Sequence, residues 1–176
     1  MQACSVTVRD RDGDIVLTRE DLLKYATKEN VIASALMIRL CRFAFSQLSP
    51  LEPPRRRELY WQVGFPGPGI LDCVEMVSHA VRDGRCLQNP TLSHPDADAP
   101  TSLVGRFLFE IGYRGKTLVV WPDKSVLDDE FRSQVSTWQA MEEGSEGYGA
   151  YLEYKAKKVQ QIMTMPDDAL FHFAWK

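Results

Sequence analysis

The amino-acid sequence predicts an α+β domain, and two patterns along the chain carry this prediction. Between Val31 and Leu48, apolar residues cover most of the circumference of a helix, which is typical of a helix buried in the core. Further on, strands are predicted over Leu103 to Tyr113 and Lys116 to Trp121, joined by a turn at Arg114-Gly115. We therefore expect a single domain in which a small antiparallel β-sheet packs against a buried central helix, with additional C-terminal helices.

Short elements are predicted before the central helix. Ser5 to Val8 alternate as in a strand, and Asp10 to Asp14 are expected to turn the chain back toward Ile15-Val16-Leu17. Thr18 is followed three residues later by Asp21, which is the spacing of a capping box. A short helix is therefore expected to begin after Thr18.

A junction rich in glycine and proline, Gly64 to Gly69, joins a predicted strand (Glu58 to Val63) to a predicted helix (Ile70 to Arg82). Glycine permits close backbone approach, and the start of a helix leaves N–H groups that can hold an anion. The junction is therefore the predicted ligand site, and Gly67 and Gly69 are among its ligand-binding residues. A tight turn without a ligand is the alternative, and it stays open.

The helix after the junction carries side chains that can bind a ligand or a metal. Asp72, Glu75 and His79 are spaced by three and four residues, so they share one polar face. Carboxylates with an imidazole can ligate a divalent metal such as zinc or nickel, whereas a solvent-exposed helix face has the same spacing. Asp72 and Cys73 are also predicted to bind the ligand, with an inert buried thiol as the alternative for Cys73.

The last third of the chain is predicted to be largely helical. Helices are expected over Ser125 to Glu142 and Ala150 to Met163, with a break at Gly144 to Gly149. His172 lies among apolar residues in the tail from Leu170 to Trp175. The tail is therefore expected to dock on the core or on a second subunit, and a homodimer is the expected oligomer.

Composition restricts the class of protein. A chain of 176 residues with 44% hydrophobic content is expected to form one domain over residues 1–176. A net charge of −3 gives no general attraction to nucleic acid or to anionic membranes, and no apolar stretch approaches the roughly 20 residues of a membrane span. Met1 to Cys4 lack the basic and apolar regions of a leader, so we expect a cytoplasmic protein without nucleic-acid or membrane partners. The four cysteines show no Cys-x-x-Cys spacing and are expected to be free thiols.

Several stretches follow one another in an order found in a known family. Tyr25 to Asn30 lead into a helix over Val31 to Arg39, Asp72-Cys73 opens a later helix that continues to Ser78-His79-Ala80-Val81, and Gly115-Lys116 forms a turn between strands. This order resembles the formylmethanofuran dehydrogenase E-like family, in which a His-Gly-His-x-Cys-Pro-Gly stretch precedes the first of these helices. The resemblance spans Thr18 to Trp121 and implies metal binding and a role in one-carbon metabolism. Residues 122–176 would then be a helical C-terminal extension.

The chain departs from that family at the metal ligands. Ala26, Lys28 and Asn30 occupy the positions of the family's two histidines and cysteine, and Gly69 and Ala80 those of its later cysteines. Alanine cannot coordinate a metal, and asparagine or glycine is a poor substitute for a thiolate or an imidazole. The family's metal site is therefore expected to be lost.

Three hypotheses for function follow. The leading one is an accessory protein of this family that binds a small molecule or anion at the junction, with no catalytic residue assigned and no enzyme activity expected. The second is a metal-binding redox or one-carbon protein whose ligands have moved to Asp72, Cys73, Glu75 and His79, with a second subunit completing the shell. The third is a structural component of a larger complex, which the apolar C-terminal tail would contact.

Overall fold

The computed structural model describes residues 4–176 and confirms the α+β class. The prediction for the opening residues Met1 to Ala3 lies outside this range. The elements in chain order are β1 (Ser5–Asp10), β2 (Gly13–Thr18), α1 (Arg19–Ala26), α2 (Val31–Leu48), β3 (Tyr60–Val63), α3 (Pro68–Ser78), β4 (Cys86–Gln88), β5 (Phe109–Tyr113), β6 (Lys116–Pro122), α4 (Asp129–Trp138), α5 (Tyr148–Thr164), α6 (Asp167–Leu170) and β7 (Phe171–Trp175).

The N-terminal elements agree with the sequence prediction. Strands β1 and β2 form an antiparallel hairpin in which Val6 lies opposite Leu17. The hydroxyl of Thr18 accepts the N–H of Asp21 at 3.3 Å, and the Asp21 carboxylate accepts the N–H of Thr18 at 2.9 Å. This is the predicted capping box, and it fixes the start of α1 by giving partners to N–H groups that a helix end leaves free.

Helix α2 is the central helix and has the predicted ends. Its apolar side chains, among them Leu36, Ile38 and Leu40, are buried. The buried guanidinium of Arg39 donates to the carbonyl oxygens of Ile162 at 2.7 Å and of Met165 at 2.6 Å. These bonds tie the middle of α2 to the end of α5.

By length and composition alone, α2 could cross a membrane, although no apolar stretch of that length was expected from the sequence. In the folded chain, 67% of the helix is buried by other residues. The core helix of a water-soluble protein has the same composition, because an apolar surface on all sides needs partners on all sides. Burial in the core therefore accounts for the composition of α2.

Five strands form the main sheet, in the order β4-β3-β5-β6-β7. The pairs β3–β5, β5–β6 and β6–β7 are antiparallel, whereas β3 and β4 run parallel. The sheet is therefore mixed and not purely antiparallel as predicted. Strand β4, which causes the difference, is only three residues long and follows Gly84 and Arg85, so it shows no alternating pattern.

The C-terminal part is not only a helical extension, which corrects the prediction for residues 122–176. Helices α4 and α5 lie where helices were expected, but the tail forms strand β7, which pairs with β6 and completes the sheet. Helix α4 is shorter than predicted at its start because the Asp128 carboxylate caps it by accepting the N–H of Phe131 at 2.9 Å. The tail thus docks on the domain's own core.

The sheet has one large and one small apolar interface. On the inner face, Trp61, Ile111 and Val120 belong to the main core together with α2 and α3. On the outer face, Val119 and Trp121 pack against Leu92 and Ala99 from the loop between β4 and β5 and form a separate cluster. The loop thus covers part of the outer face, and the junction before α3 lies at one end of the inner core.

Candidate functional site

The glycine and proline junction borders a cavity of about 240 Å³, between the starts of α2 and α3 on one side and α4 and α5 on the other. Gly67, Pro68 and Gly69 line it. Its walls are mainly apolar and aromatic, and they include Leu36, Phe65, Phe107, Phe131, Trp138 and Tyr151. The polar and charged residues of the lining include Glu29, Asn30, Ser102, Gln139 and Lys155. A concave site with apolar walls and a small set of polar groups is the usual form of a small-molecule site.

The two glycines that were predicted to bind the ligand allow the junction to pack closely. A Cβ atom on Gly67 would lie 2.6 Å from the ring of Phe65, and one on Gly69 would lie 2.6 Å from Cγ of Asn30. Neither approach is compatible with a side chain at these positions. The glycines therefore let Phe65 and Asn30 stand directly over the start of α3, at the edge of the cavity.

The aromatic wall is continuous across several elements. The ring of Phe107 lies 4.7 Å from that of Phe65 and 5.9 Å from that of Phe131, measured between centroids. Trp138 of α4 stacks on Tyr151 of α5 at 6.3 Å. Aromatic pairs in these geometries stabilise one another beyond the area that they bury. The wall thus joins the loop before β5 to both C-terminal helices.

A buried lysine supplies the positive charge of the cavity, which the carboxylate residue Glu29 also lines. Lys155 of α5 is only 7% exposed, and its ammonium lies 4.8 Å from the centroid of the Tyr151 ring. Its polar contact among residues 4–176 is the carbonyl oxygen of Glu29 at 3.5 Å, which is a long hydrogen bond. Burial lowers the pKa of Lys155, and the nearby Glu29 carboxylate raises it to a smaller extent. The ammonium therefore lies against an aromatic ring, with the Glu29 carboxylate nearby but not hydrogen-bonded to it.

Two helix starts meet at the same cavity. Helix α2 begins after Asn30 and α3 after Gly67, and both of these residues line the cavity. Neither residue caps its helix through its side chain, and neither first turn contains an acidic residue. Each helix start carries a partial positive charge and, with Lys155, favours a negative group in the cavity, whereas the carboxylate of Glu29 opposes one.

The other two predicted ligand-binding residues do not line this cavity. Asp72 is half-buried, and burial raises the pKa of its carboxyl group. Cys73 is fully buried in the main core, where burial, and then the Asp72 charge, raise the pKa of its thiol to about 12. A thiol with this pKa stays protonated at neutral pH, so Cys73 corresponds to the inert buried alternative.

Glu75 and His79 have structural contacts at the end of α3. The Glu75 carboxylate accepts the N–H groups of Val81 at 3.0 Å and Arg82 at 3.1 Å. His79 has a positive φ of 54° and ends the helix, with its Nδ1 3.5 Å from the carboxylate. Burial, followed by the charges of Arg56 and Arg82, lowers the pKa of His79. Helix α3 therefore ends at Ser78 and not at Arg82 as predicted.

The structure gives the predicted metal site no support. Within residues 4–176, no three His, Cys, Asp or Glu side chains are grouped so that they could hold a metal ion, and this includes Asp72, Glu75 and His79. Oε2 of Glu75 already accepts two backbone N–H groups, and Oε1, which faces His79, lies 3.8 Å from the guanidinium of Arg82. The four cysteines are free, as predicted.

A wider cleft lies beside β7 but is open to solvent. It has a volume of about 600 Å³ and is lined by the exposed carboxylates of Asp96, Asp98 and Asp168 and by Asp123, which is paired with His172. Exposed carboxylates of this kind solvate a surface without defining a ligand. The smaller and more enclosed cavity at the junction is therefore the better candidate site.

The junction was found from the sequence, but the lysine was missed. Tyr151, Lys155, Lys158 and Ile162 are all buried, and their spacing of four, three and four residues places them on one face of α5. Two lysines on the apolar face of a helix are a signal that could have been found, because Lys is seldom buried. The sequence does not show that this face meets the junction.

A scan against known protein families found no match for this chain, and a search of curated proteins found none either. The resemblance to the formylmethanofuran dehydrogenase E-like family therefore stays a prediction.

Proposed function

We propose that the protein binds a small organic anion, a carboxylate with a compact apolar body, in the cavity at the junction. The observation that supports this proposal best is the buried ammonium of Lys155 in an aromatic cavity. A carboxylate would give this ammonium the partner that the carbonyl of Glu29 at 3.5 Å supplies only weakly.

Lys155 could instead pack its stem along Tyr151 and reach solvent at its tip, without a role in binding. A lysine of this kind leaves much of its side chain exposed, whereas Lys155 is only 7% exposed as a residue and its ammonium contacts the Tyr151 ring at 4.8 Å and the carbonyl oxygen of Glu29 at 3.5 Å. A cation beside the start of α2 is also unfavourable, since the helix start is itself positive. An anion between the ammonium of Lys155 and the start of α2 would be attracted by both positive groups and would reduce the repulsion between them.

The size of the cavity restricts the ligand. Sites for drug-sized ligands occupy about 300–1,000 Å³. The cavity at the junction, at about 240 Å³, is smaller than this range. Its aromatic walls suit a flat body, so a carboxylate on a single aromatic ring is the preferred ligand class, with short aliphatic carboxylates next.

The test compares phenylacetate with phenylacetamide, which has nearly the same shape but no charge. Binding is followed by isothermal titration calorimetry and by the fluorescence of Trp138, which lines the cavity. We expect phenylacetate to bind the wild type, and Lys155→Met to weaken it about 10- to 100-fold, as expected for loss of a hydrogen bond between charged groups. Phenylacetamide should bind weakly to both proteins.

Lys158→Met is the matched control. Lys158 lies on the same face of α5, is equally buried, and donates to the side-chain oxygen of Gln161 at 3.0 Å, but it does not line the cavity. It should leave the affinity unchanged. Equal affinity for phenylacetate and phenylacetamide, or an equal loss of affinity in Lys155→Met and Lys158→Met, would contradict the role of Lys155. If no aromatic or aliphatic carboxylate in a test set binds, the proposed function itself is contradicted.

The proposal assigns a binding role and no reaction. An accessory protein of the cytoplasm remains part of it, because the free thiols are typical of a reducing compartment.

A further inference from the structure

Strand β7 is an open edge of the main sheet. Within residues 4–176 no further strand pairs with it. Two hydrogen bonds at the ends of β7 show which of its backbone groups face β6. The N–H of Asp123 donates to the carbonyl of Leu170 at 2.8 Å, and the N–H of Lys176 donates to the carbonyl of Thr117 at 3.0 Å. Hydrogen-bonded and non-bonded pairs alternate in an antiparallel ladder, so His172 and Ala174 also bond to β6. The backbone groups of Phe173 and Trp175 therefore point outward.

Two aromatic side chains stand next to these free backbone groups. Phe173 is 43% exposed and Trp175 is 48% exposed. They lie on the same face of the strand, and their rings pack edge to face at 6.4 Å. Each outward residue thus offers a donor, an acceptor and an apolar ring.

Proteins usually protect such edges with proline, bulges, charged side chains or very short strands. The opposite edge of this sheet follows the rule, because β4 has only three residues. Strand β7 has five residues, contains neither proline nor Lys, Arg, Asp or Glu, and pairs with β6 without a bulge. None of the strand's own residues protects this edge, although Asp96, Asp98 and Asp168 line the cleft beside it.

We propose that the protein forms a two-fold symmetric homodimer in which the β7 strands of two copies pair antiparallel and join the two sheets into one. A second copy fits because the edge is complementary to itself. A two-fold axis near Phe173 and Ala174 places donors opposite acceptors, and it brings the rings of Phe173 and Trp175 of both copies together on one face.

The area of this contact sets the strength of the dimer. The exposed parts of four aromatic rings amount to on the order of 400 Å², and the strand backbones add to this. Stable dimers bury about 1,200–2,000 Å² in total, so we expect this pairing to be weak and to depend on protein concentration. This inference is independent of the cavity and of its ligand.

Sedimentation velocity from about 1 μM to about 500 μM tests the proposal, since weak interfaces dissociate in this range. The wild type should change from monomer to dimer, whereas Phe173→Lys and Trp175→Lys should stay monomeric. Leu87→Lys is the matched control, because Leu87 is 57% exposed on the opposite edge strand, and this variant should dimerise like the wild type. Circular dichroism establishes that each variant is folded.

Hydrogen exchange of the wild type tests the same contact without a substitution. The amides of Phe173 and Trp175 should become protected as the protein concentration rises, while the amide of Ala174, which faces β6, stays protected throughout. A wild type that stays monomeric, a dimer that persists in both folded lysine variants, or free exchange at Phe173 and Trp175 at the highest concentration would each overturn the proposal.

Discussion

Nε2 of His172 lies 2.8 Å from a carboxylate oxygen of Asp123. Asp123 directly follows β6 and His172 belongs to β7, so this contact joins the two strands next to the backbone bond from Asp123 to Leu170. The same carboxylate accepts the N–H and the hydroxyl of Ser125. The bond to His172, followed by those to Ser125, lowers the pKa of Asp123 from 3.8 to about 2.

This pKa predicts a loss of stability in acid. Because the folded-state pKa is below that of the unfolded chain, the contribution of Asp123 is fully present above about pH 4 and is lost as the pH falls toward about 2. One pKa unit corresponds to about 1.4 kcal/mol, and partial exposure reduces the effect, so we expect about 1 kcal/mol. Urea unfolding of the wild type and of Asp123→Asn between these pH values measures it. The same pH dependence in both proteins would show that Asp123 does not contribute.

A methyl group at Gly69 is predicted to disturb the junction. The new Cβ would lie 2.6 Å from Cγ of Asn30, whose side chain donates to the carbonyl of Ala26. Asn30 must then move, and we expect Gly69→Ala to cost about 1–3 kcal/mol in the free energy of unfolding. Chemical denaturation measures the loss, and binding of phenylacetate should weaken with it.

Two further variants test this explanation. Asn30→Gly removes the clashing side chain, so the double variant should be less destabilised than the sum of the two single ones. Gly149→Ala, at a helical position with no atom within 4 Å of the new Cβ, should not destabilise the protein. If Gly69→Ala and Asn30→Gly prove additive, the contact between them is not the cause.

The carboxylate of Glu75 is predicted to stabilise the end of α3. It accepts two backbone N–H groups, and its residue is only 8% exposed. Glu75→Ala leaves both donors without a partner and should cost about 2–4 kcal/mol, whereas Glu75→Gln keeps one acceptor and should cost less. Thermal unfolding separates the two. An alanine variant as stable as the wild type would mean that water replaces the carboxylate.

Much of the fold could be predicted because its signals are local. Helix α2 has the predicted ends, since apolar residues recur on most sides of the helix from Val31 to Leu48 and Pro50 cannot continue it. The capping box of α1 and the turn at Arg114-Gly115 also depend only on neighbouring residues. Strands β4 and β7 were missed because a short strand is recognised by its partner more than by its own pattern.

The sequence predicted the part of the candidate site that the junction forms, but not the part that α4 and α5 form. Gly67 and Gly69 mark the junction because close backbone approach requires glycine, and this requirement is visible in the sequence. Lys155 reaches the same cavity from a helix far along the chain, and no local pattern shows that contact. Asp72 and Cys73 belong to the helix that follows the junction, but they lie further along it and do not line the cavity.

The pairing of β6 with β7 has a consequence for the folding pathway. It closes a loop over residues 123–170, and this loop contains α4 and α5. Contacts that close long loops form slowly, because the entropy of the loop is lost before the strand pairs. A folding intermediate that contains the elements from β1 to β6 would hold both helix starts of the cavity but neither Trp138 nor Lys155. Ligand binding during refolding should therefore appear only once α4 and α5 have docked on the rest of the domain.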